Sequence, residues 1–212
     1  LWYVVRRTAG SSVAYWLAAM GPPLLIVLAT YNFDTIMVLL AALSILLAMR
    51  GRTLAAGVAL GLASLSKQVA VLTLPVAALV AARHGGLRGL VVGVVAAGLV
   101  ALPFLMAGVN PVVSSVLSFH AHRPPQGPTL WYSLYALSGY QCSWLCCDVW
   151  VVPFIAALMA FMLLAARWGV SDPPLAVATI YMLYLATGKV VNPVYLSWPY
   201  TFMVMSYPRV GK

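Results

Sequence analysis

The sequence predicts an all-α protein: a polytopic transmembrane helical bundle with a helical hairpin of short limbs and one long outer loop. Two observations carry this prediction. Hydrophobic residues make up 64% of the 212 positions and charged residues only 7%, and the mean hydropathy is +0.99. So apolar a chain has too little polar surface for a water-soluble fold. Because neither a flexible linker nor a long charge run divides it, residues 1–212 are expected to form a single transmembrane domain.

The formal net charge of +9 comes from cations that stand singly or in pairs beside apolar segments. A nucleic-acid-binding surface would gather its cations on one hydrophilic face, so nucleic acid is not an expected partner. Membrane topology explains the pattern better, because lysine and arginine accumulate at the cytoplasmic ends of spans. The charge pattern therefore predicts that the protein is embedded in membrane lipid.

The first two spans set the orientation of the chain. The first covers residues 13–30 and is kinked at Gly21-Pro22-Pro23, and the second covers residues 35–49 and ends at Arg50-Gly51-Arg52. These two arginines indicate the cytoplasmic side by the positive-inside rule. Asp34, at the other end of the second span, is therefore expected on the outer side.

Residues 53–82 are too long for one ordinary span of roughly 20 residues. They are interrupted by the polar passage 64–68, which contains Lys67 and Gln68. A single span would scatter the cations over both sides of the membrane. A hairpin of two short limbs that turns near Lys67 places nine of the twelve cations inside, so we predict the hairpin.

The rest of the chain then alternates across the membrane. Spans are expected at residues 89–108, 151–166, 174–187 and 193–207, with a long outer loop at residues 110–150. Asp34, Lys67, Arg123 and Lys189 should therefore lie on one side, opposite Arg50, Arg88 and Arg167. His120 and His122 belong to the same outer loop as Arg123.

The outer cations indicate an anion site. A charge near the hydrocarbon costs about 2.5–3.5 kcal/mol at a helix centre, so such residues usually pair or line a wet cavity. Only Asp34 and Asp148 are available as outer acids, which leaves positive charge for a phosphate or pyrophosphate. We expect the three cations to converge on one anion-sized space, with Asp34 on its rim. The alternative is that they are snorkelling or headgroup charges that anchor the protein.

The remaining polar and aromatic residues allow two interpretations each. His120 and His122 lack a neighbouring carboxylate and make a poor metal motif, so no metal is expected; either could bind sugar or phosphate, or be structural. The aromatic residues could stack on a sugar or form an interfacial belt: they are Trp131, Tyr132, Tyr195 and Trp198. The odd number of outer-loop cysteines leaves at least one unpaired and the pairing open; they are Cys142, Cys146 and Cys147.

Four stretches together resemble a known family. They are YNFD at 31–34 with RGR at 50–52; AAG at 55–57 through LGLA at 60–63 to KQ at 67–68 and LP at 74–75; FH at 119–120 through Arg123 and Gln126 to Trp131; and KVVNPVYLSWP at 189–199. In this order and spacing they are similar to the GT-C glycosyltransferases, in particular to the mannosyltransferases that use a polyprenyl-phosphate-mannose donor. The resemblance covers nearly all of the chain.

The resemblance implies inverting transfer of a sugar, with mannose as the sugar expected, from a polyprenyl-phosphate donor to a lipid- or protein-linked glycan acceptor. It implies no cofactor beyond the lipid-linked donor, and a site facing outward from the cell membrane. Asp34 would position or deprotonate the acceptor hydroxyl as the catalytic residue. The expected substrate-binding residues are Lys67, Gln68, His120, His122, Arg123, Gln126, Lys189, Asn192 and Tyr195.

The departures from the family pattern leave two other functions open. The family's first outer loop, with the acidic residue thought to act as base, has no counterpart here, so a partner chain is expected to supply the missing N-terminal part. Asn192 stands where serine is usual, and Pro128-Thr129 replaces the pair Glu-Ser. The chain could therefore be a non-catalytic membrane subunit, or a lipid-phosphate binding or transport protein that uses the same cations.

Overall fold

A computed structural model gives the fold, and it describes residues 34–110, 114, 123–141 and 149–210. The predicted first span, both outer-loop histidines and the three cysteines lie outside these residues. The described residues are mainly helical and contain no strand, which confirms the all-α prediction. The α-helices are α1 (Asp34–Met49), α2 (Thr53–Ser66), α3 (Leu74–Arg83), α4 (Leu87–Gly98), α5 (Leu102–Ala107), α6 (Leu130–Leu137), α7 (Val151–Trp168), α8 (Pro173–Thr187) and α9 (Ser197–Val210).

The predicted hairpin is confirmed. Helix α2 ends at Ser66, Lys67 is extended with φ −158° and ψ 122°, and a 3-10 helix (Gln68–Thr73) leads into α3. The chain then returns to its starting end, since a Cβ added at Gly86 would lie 2.5 Å from the Thr53 side chain. Pro75, near the start of α3, suits the first helical turn because the amide it lacks would have no partner there.

Glycines hold α2 and α4 in parallel, backbone against backbone. A Cβ on Gly57 would lie 2.1 Å from the Leu90 carbonyl oxygen, and one on Gly93 would lie 2.2 Å from the Leu54 carbonyl oxygen. One turn further, a Cβ on Gly61 would lie 2.4 Å from the Ala97 Cβ. Only residues without a side chain let helices approach this closely, as is common in membranes.

Two stretches of the described chain are long and apolar enough to cross a membrane. They are Leu87–Ala107, which joins α4 and α5 through a 3-10 helix (Leu99–Ala101), and Val151–Trp168, which is α7. Both are largely exposed, with only 17% and 11% of their most apolar windows buried. They therefore present apolar side chains outward, as helices in contact with lipid do.

The core lies among α1, α2, α3, α8 and α9. Met37, Ile45 and Leu60 are fully or almost fully buried there, as are the aromatic rings of Tyr181 and Phe202, which stack at 5.8 Å between centroids. The Tyr181 hydroxyl lies 3.0 Å from Thr73 Oγ1, which fixes the 3-10 helix of the hairpin to α8. The turn of the hairpin is thereby held against the bundle.

The described bundle has two chemically different ends. Arg83 Nη1 donates to the Val170 carbonyl at 2.6 Å, which joins the foot of the hairpin to the α7–α8 connection. The cations at this end are Arg50, Arg52, Arg83, Arg88 and Arg167. Lys67 lies at the other end, near the C-terminus of α8.

Two segments differ from the sequence-based boundaries. The predicted span at residues 193–207 begins with a 3-10 helix (Pro193–Leu196), and its α-helix starts only at Ser197. Asn192 Oδ1 accepts a hydrogen bond from the Val194 amide and starts this turn. The long outer loop also has a helix of its own, α6, which the Thr129 hydroxyl caps by accepting from the Tyr132 amide.

Candidate substrate pocket

A cavity of about 380 Å³ opens at the end of the bundle that carries Lys67. Four segments of the chain form its wall: the hairpin turn, the outer loop, the start of α7 and the passage from α8 to α9. Its polar lining residues are Lys67, Gln68, Arg123 and Lys189. The structure thus brings together three cations that are up to 122 residues apart in the sequence.

Lys67 is held inside this wall by an acid and two rings. Its ammonium forms an ion pair with Asp34 Oδ1 and lies 4.5 Å from the centroid of the Tyr195 ring and 4.9 Å from that of Trp198. The second carboxylate oxygen, Asp34 Oδ2, accepts a hydrogen bond from Trp198 Nε1 at 3.1 Å. Both oxygens of the acid therefore have partners, and the lysine gains cation–π attraction as well.

Aromatic side chains form much of the remaining wall. Tyr195 and Trp198 stack with centroids 4.3 Å apart and an interplanar angle of 23°. Trp150, at the start of α7, meets Tyr184 of α8 edge to face at 6.1 Å. The other lining residues are aliphatic: Val69, Val71, Leu72 and Val190. The cavity therefore combines cationic groups with an apolar surface.

Arg123 reaches the cavity because the outer loop is attached to the segment after α8. The Gln126 amide donates to the Lys189 carbonyl at 2.8 Å, and the Val191 amide donates to the Gln126 carbonyl at 3.0 Å. Gln126 Oε1 in turn accepts from Arg123 Nε at 3.1 Å and also from Nη2. We call residues 123–131 the strap.

The far end of the strap is attached in the same way. Trp131 Nε1 donates to the Thr187 carbonyl at 2.6 Å, at the last residue of α8. Trp131 is buried, and Tyr132 is exposed and does not line the cavity. Trp131 therefore fastens the strap to the bundle. This role differs from both interpretations drawn from the sequence, which were stacking on a sugar and an interfacial aromatic belt.

Tyr195 remains a neutral phenol in this wall. It lies in the 3-10 helix ahead of α9, outside the longer helices, and burial raises its pKa above the usual 10.0. The positive charge of Arg123 opposes that shift, the charge of Asp34 adds to it, and a hydrogen bond from Arg123 opposes it again. A phenol with a raised pKa can donate a hydrogen bond but is a poor base near neutral pH.

The structure separates the predicted site residues into groups. Lys67, Gln68, Arg123, Lys189 and Tyr195 line the cavity. Gln126 is exposed and holds Arg123, and Asn192 is exposed and caps the turn at Val194. His120 and His122 lie outside the described residues.

The expected place of Asp34 is corrected. The sequence put it on the rim of the anion space, whereas its side chain is 3% exposed and does not line the cavity. The reason is its pairing with Lys67 and Trp198, which draws the carboxylate below the cavity wall. The acid therefore compensates Lys67 from beneath the wall, while its catalytic role stays a prediction.

The sequence did not identify Trp150 and Tyr184 as part of the wall. Each is one aromatic residue in an apolar segment, and only their position at the same end as Lys67 could have pointed to them.

Among the described residues, no group of three or more histidine, cysteine or acidic side chains could hold a metal ion.

Comparison with known proteins identifies the family. The sequence matches the model of Glycosyltransferase family 87 over residues 1–193. No curated protein and no solved structure matches it significantly. The matched region includes Lys67, Arg123 and Lys189, and it extends across the membrane-type helices described above. Since the match covers most of the chain, this protein is a membrane protein that belongs to glycosyltransferase family 87.

Proposed function

We propose that the protein transfers a sugar from a polyprenyl-phosphate donor to a lipid- or protein-linked glycan, and that this sugar is mannose. The family supports glycosyl transfer in general. The observation that carries the choice of donor is the cavity, where Lys67, Arg123 and Lys189 meet an apolar and aromatic wall. A lipid-linked phosphate has these two properties, an anionic group and an apolar chain.

The cations have a defined role in such a transfer. When the bond between the sugar and the phosphate breaks, negative charge builds up on the leaving phosphate. Cationic donors fixed near that phosphate stabilise the transition state more than the bound donor. Arg123 suits this role because its planar guanidinium can bind two phosphate oxygens at once.

Proton transfer from the acceptor hydroxyl requires a base. No carboxylate lines the cavity within the described residues, and Tyr195 stays a neutral phenol. In the proposed reaction the base therefore comes from outside the described part of the chain, or from a partner chain. The site would face the outer side of the cell membrane, because five arginines lie at the opposite end of the described bundle.

A lipid-phosphate binding or transport function is the second candidate. The same observation favours it, since the described wall has cations and no base. A non-catalytic subunit would bind the donor in the same way and leave turnover to its partner. These alternatives differ from the transferase in one measurable property, which is the release of sugar from the donor.

An assay with radiolabelled polyprenyl-phosphate mannose tests the proposal. Membranes that contain the full-length protein are compared with membranes that lack it, and labelled glycan is extracted and counted. Label in glycan that depends on the protein supports the transferase. Donor that binds but stays intact over the whole time course would support the binding protein instead.

Arg123→Ala is the cleaner variant for this assay. Lys67→Ala would leave Asp34 buried without its counter-charge, and breaking a buried pair costs about 3–5 kcal/mol of stability. Arg123 is part of the strap and is only half-buried. Its loss should therefore weaken donor binding without unfolding the bundle, and Arg88→Ala at the opposite end serves as the matched control.

A further inference from the structure

Three segments that are distant in the sequence meet at Asp34. The acid is the first residue of α1, Lys67 lies at the hairpin turn 33 residues later, and Trp198 lies in α9, 164 residues later. Its two oxygens have separate partners, Lys67 for Oδ1 and the Trp198 indole for Oδ2. The N-terminus of α1 adds a favourable field for the carboxylate.

The three residues of this arrangement differ in how far their side chains are buried. Asp34 is 2% exposed and Trp198 is 1% exposed, whereas the Lys67 side chain is 23% exposed. The acid and the indole therefore form the fixed part, and the ammonium is the part that reaches the cavity. A carboxylate buried in this way accepts strong hydrogen bonds because water does not compete for it.

The geometry does not suit Asp34 as a base. A base must come within hydrogen-bond reach of the proton that it takes. Asp34 does not line the cavity, and the ammonium and the indole stand at its two oxygens. An acceptor hydroxyl would have to displace one of these partners first.

We propose that Trp198 is a positioning residue for the transfer reaction, which rests on the function proposed above. Its indole N–H orients Asp34, and Asp34 in turn fixes the Lys67 ammonium over the Tyr195–Trp198 ring pair at the cavity wall. Asp34 is therefore also a positioning residue, because its negative charge holds the Lys67 ammonium in place. The lysine then meets the phosphate of the donor in a fixed orientation.

Lysine labelling tests this network without any need for activity. The chain has three lysines, Lys67, Lys189 and Lys212, so mass spectrometry can follow each one after a pulse of acetic anhydride. The purified full chain is labelled together with free N-acetyl-lysine as an internal standard. Trp198→Phe keeps a ring but removes the N–H, and it should raise Lys67 labelling about tenfold, as expected for a lost hydrogen bond to a charged group.

Two further variants complete the labelling experiment. Asp34→Asn removes the counter-charge and should raise Lys67 labelling to a similar degree. Trp168→Phe removes an indole N–H from an exposed residue at the end of α7, and should leave Lys67 labelling unchanged. If Trp198→Phe does not fold, Asp34→Asn decides: Lys67 labelling at the wild-type rate would overturn the proposal.

The kinetics separate positioning from base catalysis. A positioning role predicts that Trp198→Phe and Asp34→Asn lower kcat/KM for the donor, keep the shape of the pH profile, and are not additive when combined. A loss of kcat in Asp34→Asn with unchanged KM and unchanged Lys67 labelling would overturn it. If the wild-type protein transfers no sugar from polyprenyl-phosphate mannose, the proposed function fails, while the labelling still decides the network.

Discussion

Among single residues, the pairing of Asp34 with Lys67 changes the expected chemistry most. Counting charges along the sequence gives Lys67 as one of three cations for an external anion. In the structure its ammonium is already compensated by a buried carboxylate and two aromatic rings. Among the described residues Arg123 forms no ion pair and is held by the neutral Gln126 side chain, so no described acid offsets its charge. We therefore expect Arg123 to contribute more to phosphate affinity than Lys67 does.

Tyr195→Phe tests the part of the wall between these two cations. Phenylalanine keeps a ring beside Trp198 and Lys67 but loses the hydroxyl that bonds Arg123. Since this bond orients Arg123 and does not itself reach the phosphate, donor affinity should fall only about fivefold, which corresponds to about 1 kcal/mol. Titration of the purified protein with polyprenyl phosphate measures this, and an unchanged affinity would show that the hydroxyl does not orient Arg123.

The pH dependence of the same variant follows from the direction of the pKa shift. Because burial raises the pKa of Tyr195 above 10.0, the phenol stays protonated up to about pH 9. Transfer rates of the wild type and of Tyr195→Phe should therefore have pH profiles of the same shape between about pH 6 and pH 9. A wild-type profile with a limb that Tyr195→Phe lacks would contradict this.

Among the elements, the strap depends on glycine at one position. Gly127 has φ +81°, and a Cβ there would lie 2.0 Å from the Val191 carbonyl oxygen. Gly127→Ala should therefore separate the strap from the segment after α8, and Arg123 should leave the cavity with it. We expect donor affinity to fall about as far as in Arg123→Ala, by roughly tenfold.

Gly139→Ala is the matched control for this prediction. Gly139 also has a positive φ, +70°, but nothing lies within 4 Å of its Cβ position. The substitution has a similar backbone cost, about 1–2 kcal/mol, and no clash. Equal loss of donor affinity in Gly127→Ala and Gly139→Ala would mean that strap attachment does not place Arg123.

The α2–α4 contact gives a second pair of glycines for a stability test. Gly93→Ala should lower the melting temperature in detergent, because its Cβ would meet Leu54 and Val58 backbone atoms at 2.2 and 2.7 Å. Overpacking of this kind costs about 1–3 kcal/mol. Gly98 is in the same helix with nothing within 4 Å, so Gly98→Ala should be neutral or stabilise the helix slightly. The reverse order of melting temperatures would contradict the close packing.

The hairpin was predictable from the sequence, whereas the partners of its turn were not. Ser64 to Gln68 is a polar passage in an apolar stretch, and the charge rule favoured a turn there. By contrast, Trp198 is one aromatic residue in an apolar helix, where a lipid-facing and a buried ring look alike. Helices that are apolar all round lack the periodicity that orients an amphipathic helix. The hydrogen bond between Asp34 and Trp198 therefore could not be predicted from the sequence and is visible only in the structure.

At the scale of the whole molecule, the separation of charges between the two ends predicts its orientation in the membrane. Single cysteines at Gln126 and at Arg88, in a background without the native cysteines, can be probed in intact cells with a membrane-impermeant maleimide. Gln126→Cys should react, because it is exposed at the pocket end, and Arg88→Cys should react only after permeabilisation. Reaction of both in intact cells would contradict the orientation.

The central claim is that the cavity binds the phosphate of a lipid. Equilibrium binding of polyprenyl phosphate and of the uncharged polyprenol to the purified protein tests it most directly. We predict that the phosphate improves affinity at least about tenfold in the wild type and in Arg88→Ala, and that Arg123→Ala loses most of this gain. Equal affinity for the two lipids, or the same gain in all three proteins, would contradict the claim.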